Sequence, residues 1–154
     1  MAQGKGKRRT PAKLPRVSAA DASLLAAIEA LRTNPAYREA EEMRRKVGAL
    51  SMAQAPEGSR ERTGIQMLVG TWISIATLLR AAKHKGDLYR ILPICHMYRA
   101  FVDAIKQLRE IAGSDDYARE LDELYEDWQD WCDRMELDPH YVTALCGGIT
   151  ARFG

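Results

Sequence analysis

Residues 94–135 read ICHMYRAFVDAIKQLREIAGSDDYARELDELYEDWQDWCDRM, and they carry the same apolar spacing twice. In each half, apolar residues recur at alternating steps of four and three. The first set is Ile94, Tyr98, Phe101, Ile105, Leu108 and Ala112. The second set is Tyr117, Leu121, Leu124, Trp128, Trp131 and Met135. Because this heptad spacing places each set on one face of a helix, we expect two amphipathic helices.

A turn separates the two helices. Gly113 suits the C-terminal end of the first helix, and Asp115 is a suitable N-cap for the second. The stretch therefore predicts an antiparallel helical hairpin in which the two apolar stripes face each other. Since no part of the chain shows a convincing strand pattern, the predicted fold class is all-α.

The N-terminal half contains further helix signals. Ser18 is predicted to cap a first helix, with Asp21 three residues on as an imperfect capping box. Asn34-Pro35 ends it and begins a second helix that runs to about Leu50. Residues 54–60, with a proline and a glycine, are a predicted linker.

A third predicted helix covers residues 61–84 and is apolar on nearly all sides. Such a helix is buried, either in the core or between subunits. Pro93 is expected to kink the hairpin's first arm or to separate a short turn from it. Asp138-Pro139 predicts a last short helix that ends at about Leu145.

These signals divide the chain into four predicted segments. They are a basic arm (1–17) that we expect to be disordered, a small helical unit (18–54), a helical domain (61–146) and a C-terminal tail (147–154). Within the helical domain, the apolar helix is a candidate for contact between subunits as well as for the core, and an aromatic residue off the hairpin stripe is a candidate for a second contact surface. The predicted interface residues are Trp72, Ile73, Leu79 and Tyr125.

Charge is strongly segregated along the chain. Residues 1–20 hold six basic side chains and no acid, whereas residues 113–138 hold eleven acids and two arginines. A basic arm of this kind is suited to nucleic-acid phosphates, which the acidic helix would repel. The alternatives for the arm are a solubilising tail or a localisation signal. The predicted DNA contacts in the arm are Lys5, Lys7, Arg8, Arg9, Lys13 and Arg16.

A second basic cluster, Arg44, Arg45 and Lys46, is also a predicted DNA contact. The alternative is purely structural, because cations near a helix C-terminus are favoured by the helix dipole. Glu41 and Glu42 also lie at the spacing that forms pairs on a helix surface. The cluster lacks the glycine turn of a helix-turn-helix.

The sequence offers no recognisable reaction centre. Cys95, Cys132 and Cys146 do not have the paired spacing of a zinc site, so no metal or cofactor is predicted. No phosphate loop or nucleophile motif is present, so we do not expect an enzyme. The sparse cysteines and the charged N-terminus indicate a reduced intracellular protein. The longest uncharged run, residues 64–79, is too short to span a bilayer.

The second half of the chain resembles a known family. Asp87-Leu88-Tyr89-Arg90, the segment Cys95 to Ala104, and Glu136-Leu137-Asp138-Pro139 before a short helix are similar to the small terminase subunits of tailed bacteriophages. The resemblance covers roughly residues 85–146, and the first 60 residues match no family.

This resemblance implies a specific function. Small terminases form rings of packed hairpins, recognise the packaging site on viral double-stranded DNA and present it to the large ATPase-nuclease subunit. It therefore implies a homo-oligomeric, non-catalytic protein in the cytoplasm of the infected bacterium. It also implies that residues 18–54 are a DNA-binding unit and that residues 61–146 are an oligomerisation domain, with the apolar helix shared between neighbouring subunits. Two alternatives stay open: a dimeric helical DNA-binding regulator, and a non-enzymatic structural adaptor.

Overall fold

The chain folds as a bundle of helices. A computed structural model describes residues 17–137, and in that part it contains seven helices and no strand. The helices are α1 (Ala19–Arg32), α2 (Pro35–Val47), α3 (Ala49–Gln54), α4 (Arg60–Leu79), α5 (Lys85–Ile91), α6 (Ile94–Ala112) and α7 (Arg119–Arg134). The predicted all-α class is confirmed. The basic arm before Val17, the short helix predicted after Asp138 and the C-terminal tail lie outside the described residues.

The first two helices begin where their caps predict. The Ser18 hydroxyl accepts a hydrogen bond from the Asp21 N–H at 3.2 Å. The Asn34 side chain accepts one from the Ala36 N–H at 2.9 Å, with Pro35 at the first helical position. The second helix is shorter than predicted, because Gly48 adopts a φ of +86° and turns the chain into α3.

Helix α4 lies at the centre of the bundle and packs against α1, α2, α3 and α7. Its side chains join one core with residues from both halves of the chain, such as Ile28, Met52 and Trp128. The helices of residues 18–54 therefore share a core with the helices that follow them. Short α3 packs between α4 and α6, and residues 55–59 connect α3 to α4. Separate roles for residues 18–54 and 61–146 stay a prediction.

The region between α4 and α6 also differs from the prediction. Helix α4 ends at Leu79 rather than near residue 84, and residues 85–91 form α5. Pro93 stands at the N-cap of α6, so it separates a short helix from the hairpin instead of kinking a long one. This outcome is one of the two alternatives that the sequence left open.

The helical hairpin predicted from the sequence is formed by α6 and α7, which contact each other through their side chains, and α6 also packs against α3. The rings of Tyr98 and Tyr125 stack with centroids 4.1 Å apart, and Arg109 pairs with Asp122 at 2.6 Å. The middle of each stripe is buried, whereas the last residues of the two stripes, Ala112 and Met135, are exposed.

The turn of the hairpin is longer than its sequence suggests. Gly113 caps α6 in the left-handed conformation, as expected, but α7 begins at Arg119 and not at Asp115. The Arg109 side chain donates a 2.7 Å hydrogen bond to the Tyr117 carbonyl and holds the turn against α6. Ala118, buried with a φ of +59°, completes the turn before the helix can start.

Candidate nucleic-acid interface

The predicted arm is attached at the N-terminal end of α1. Its six basic residues lie outside the described part of the chain, so their DNA contacts stay a prediction. The structure does show where the arm is attached, because Val17 and Ser18 directly follow Arg16.

The second predicted cluster lies at the C-terminal end of α2. Arg44 is mostly buried, and its guanidinium binds the Glu41 carboxylate through two nitrogens, the closer contact being 2.9 Å. The same guanidinium lies over the Phe101 ring, 5.8 Å from its centroid. Lys46 pairs with Glu42 at 3.5 Å on the surface. Arg45 is exposed and also interacts with other groups of the chain. The structural alternative thus accounts for Arg44 and Lys46. DNA contact by this cluster stays a prediction from the sequence, and these two pairs favour a smaller contribution to DNA binding than unpaired cations would make.

A third basic group was not singled out from the sequence. It consists of Lys83, His84 and Lys85, three consecutive exposed residues where the chain passes from α4 into α5; we call it the basic loop. None of the three side chains forms an ion pair with another residue of the 17–137 range. The loop therefore presents its cations to solvent.

Asp21 fixes the backbone of the basic loop. Its carboxylate is buried and accepts hydrogen bonds from the N–H groups of Lys83 at 2.8 Å and His84 at 2.9 Å. The hydrogen bond from Lys83 is the largest cause of a lowered Asp21 pKa, with burial acting in the opposite direction. Asp21 is 62 residues from Lys83 in the sequence. The sequence therefore indicates the place of Asp21 in the first turn of α1 but not its contact with the basic loop.

The acidic residues of α7 line the other side of this region. A cavity of about 210 Å³ lies between α4, α5 and α7. Its charged lining consists of Arg80, Lys85, Glu120, Glu123 and Asp127. Arg80 pairs with Glu123 at 3.1 Å, and the hydroxyl of Tyr89 donates to Asp127. The acids of α7 therefore compensate the charge of Arg80 and reduce the positive potential near Lys85.

Two residues of the predicted subunit interface belong to the core of the single chain. Trp72 and Leu79 are each only 2% exposed. Trp72 donates a 3.0 Å hydrogen bond to the Tyr37 hydroxyl and lies beneath the Arg32 guanidinium. These two side chains offer no surface to a second subunit, which corrects their prediction. Helix α4 also has an exposed and mostly polar face, with Thr63, Gln66 and Thr77 among its residues, so it is not apolar on nearly all sides as the sequence suggested.

The other two residues of the predicted interface are half-buried. Ile73 packs at the edge of the core, and Tyr125 lies between the rings of Tyr98 and Trp128. Burial, together with the hydrogen bond to Asp122, raises the pKa of Tyr98 to about 12. Tyr98 therefore keeps the proton that it donates to Asp122, and this aromatic stack stabilises the hairpin. Contact of Ile73 or Tyr125 with a second subunit stays a prediction.

The cysteines of the described part lie inside the bundle. Cys95 and Cys132 are buried, and burial raises the pKa of the Cys132 thiol. Between Val17 and Leu137, no three His, Cys, Asp or Glu side chains are grouped as metal ligands would be. In the same range, no helix has the length and hydropathy to cross a membrane.

No protein-family model, curated protein or solved structure matches this chain.

Proposed function

We propose that this protein is a non-catalytic DNA-recognition subunit of the small terminase type, acting in a viral genome-packaging motor. The observation that carries the proposal is the charge of the first 16 residues, which hold six cations and no acid. This segment is joined to a compact helical scaffold at the first turn of α1. On this proposal the protein acts in the cytoplasm of an infected bacterium.

The physical basis for DNA recognition is electrostatic. Each lysine or arginine that neutralises a phosphate releases condensed counterions, so a cluster of cations binds DNA strongly at low salt. The exposed face of α7 would be repelled by DNA, because Glu123, Glu126, Asp130 and Asp133 point to solvent. We propose that this acidic face contacts a basic surface of the large motor subunit instead.

Assembly into a ring is part of the proposal. Since Trp72 and Leu79 are buried within one chain, subunit contacts would need other apolar side chains. The large hydrophobic residues exposed in the described part are Val47, Leu50, Met67, Ile111 and Met135. Many arms on one ring would bind a single DNA molecule by avidity, so each arm alone can be weak.

The test is a DNA-binding titration at several salt concentrations. One variant replaces all six arm cations with glutamine, and a control replaces Arg99 and Lys106, two exposed cations of α6. The logarithm of the binding constant falls by about 0.9 per neutralised phosphate for each tenfold rise in salt. We therefore expect the arm variant to bind more weakly, with a salt slope that is smaller by up to about five.

The control should bind like the natural chain. Equal binding by the arm variant at every salt concentration would rule out the arm as the DNA contact. The native mass of the particle in high salt, from light scattering, tests the ring: a closed assembly of many subunits supports it, and a monomer or dimer contradicts it.

A further inference from the structure

The basic loop lies close to the start of α1, where the N-terminal arm joins the bundle. Asp21 connects them, because its N–H donates to Ser18 while its carboxylate holds the N–H groups of Lys83 and His84. The arm is attached one residue before Ser18, at Val17.

The loop backbone is held in place while its side chains stay exposed. Both carboxylate oxygens of Asp21 are used by backbone N–H groups, at 2.8 Å and 2.9 Å. Asp21 is therefore engaged with the backbone of the loop, and it forms no ion pair with Lys83 or Lys85. A fixed loop loses little conformational entropy when it binds an anion, which favours binding.

The neighbouring charges decide which cations are available. Arg80 is paired with Glu123 at 3.1 Å, and Arg90 lies over the Trp131 ring, 5.4 Å from its centroid. Lys85 lines the cavity that also contains Glu120 and Asp127. Lys83 and His84 contact α1 through their backbone and have no carboxylate of α7 as a partner. The available positive charge is thus greatest at Lys83 and decreases toward α7.

We propose that Lys83, His84 and Lys85 bind phosphates of duplex DNA, close to the point where the N-terminal arm joins the bundle. This inference rests on the proposed function and adds a binding site to it. The arm supplies most of the charge, and the loop fixes the position of the bundle on the duplex.

The experiment compares two variants that each lose two exposed cations. K83Q/K85Q removes the loop lysines, and R99Q/K106Q removes the same number from α6. Titrations with a fluorescent DNA duplex are run at several salt concentrations, and thermal melting shows that both variants fold. For two lost phosphate contacts we expect about a tenfold weaker affinity for K83Q/K85Q and a salt slope smaller by about two. R99Q/K106Q should bind as the natural chain does.

The outcomes separate this inference from the proposed function. If K83Q/K85Q binds with unchanged affinity and slope while the arm variant loses binding, the loop site is wrong and DNA recognition by the arm stands. If the natural chain does not bind duplex DNA at all, both are overturned. A duplex RNA that competes better than the DNA would also overturn the inference, because it would change the class of partner.

Discussion

The two basic groups of the folded part, the α2 cluster of residues 44–46 and the basic loop of residues 83–85, look similar in sequence but differ in structure. In the α2 cluster, Arg44 and Lys46 pair with Glu41 and Glu42 of the same helix. In the basic loop, the adjacent acid, Asp21, binds the backbone and leaves the cations exposed. A carboxylate that accepts hydrogen bonds from backbone N–H groups leaves nearby cationic side chains available to bind another anion. A carboxylate that pairs with those side chains does not.

The largest expected effect concerns Trp131, which packs behind the basic loop. Its indole nitrogen lies 2.6 Å from where a Cβ on Gly86 would stand, and its ring meets Tyr89 edge-on at 5.7 Å. Trp131→Ala removes this support, so we expect a loss of about 3–5 kcal/mol of stability. Chemical denaturation measures it, with the milder Trp131→Phe as control. An unchanged unfolding midpoint would show that Trp131 does not support the loop.

The second effect concerns Asp21 and pH. Since the folded-state pKa of Asp21 is lowered, its contribution to stability is fully present above the unfolded value of about 4. That contribution is lost as the pH falls through the lowered folded-state pKa. We expect Asp21→Asn to lower the melting temperature at neutral pH by less than Trp131→Ala does.

The difference in melting temperature between Asp21→Asn and the natural chain should shrink as the pH falls below 4. Ser23→Asn, an exposed change two residues away, is the control. A difference that stays constant down to pH 2 would contradict the assigned contacts.

A smaller effect is expected for Arg44, in the α2 cluster. Arg44→Gln removes the two-nitrogen contact with Glu41 and the contact with the Phe101 ring, so we expect a loss of about 1 kcal/mol. Equilibrium unfolding measures this loss. Unchanged stability would show that Arg44 is not held by its own chain. Arg44 would then be as available to bind an anion as the lysines of the basic loop.

The smallest effect is expected for exposed lysines. Lys46→Gln removes a surface pair with Glu42, and such pairs contribute about 0–1 kcal/mol. We therefore expect a change in stability within about 0.5 kcal/mol, and an equally small change for Lys85→Gln, which loses no ion pair. A clearly larger loss of stability for Lys85→Gln would show that this lysine interacts with the acids of α7. Lys85 would then resemble the paired cations of the α2 cluster.

The hairpin could be predicted from the sequence because its signals are local. The heptad stripes, Gly113 and Pro93 all act within a few residues of their position, and the structure follows them closely. The start of α7 could not be predicted, because it depends on the hydrogen bond from Arg109 to the Tyr117 carbonyl across the turn.

The contacts between distant parts of the chain could not be predicted. Apolar side chains on a helix have the same sequence pattern whether they pack against helices of their own chain or against another subunit, so the burial of Trp72 and Leu79 in the core could not be predicted. Nothing near Asp21 indicates that its carboxylate would reach residues 83 and 84. The basic loop was missed for the same reason, because its exposure depends on that contact.

The most direct test compares the DNA salt slopes of the basic loop and the α2 cluster in one experiment. K83Q/K85Q and R44Q/K46Q each remove two cations, and both are titrated with the same duplex over the same range of salt. We predict that the slope becomes smaller by about two for K83Q/K85Q and stays close to that of the natural chain for R44Q/K46Q. A smaller slope for R44Q/K46Q with an unchanged slope for K83Q/K85Q would contradict the account.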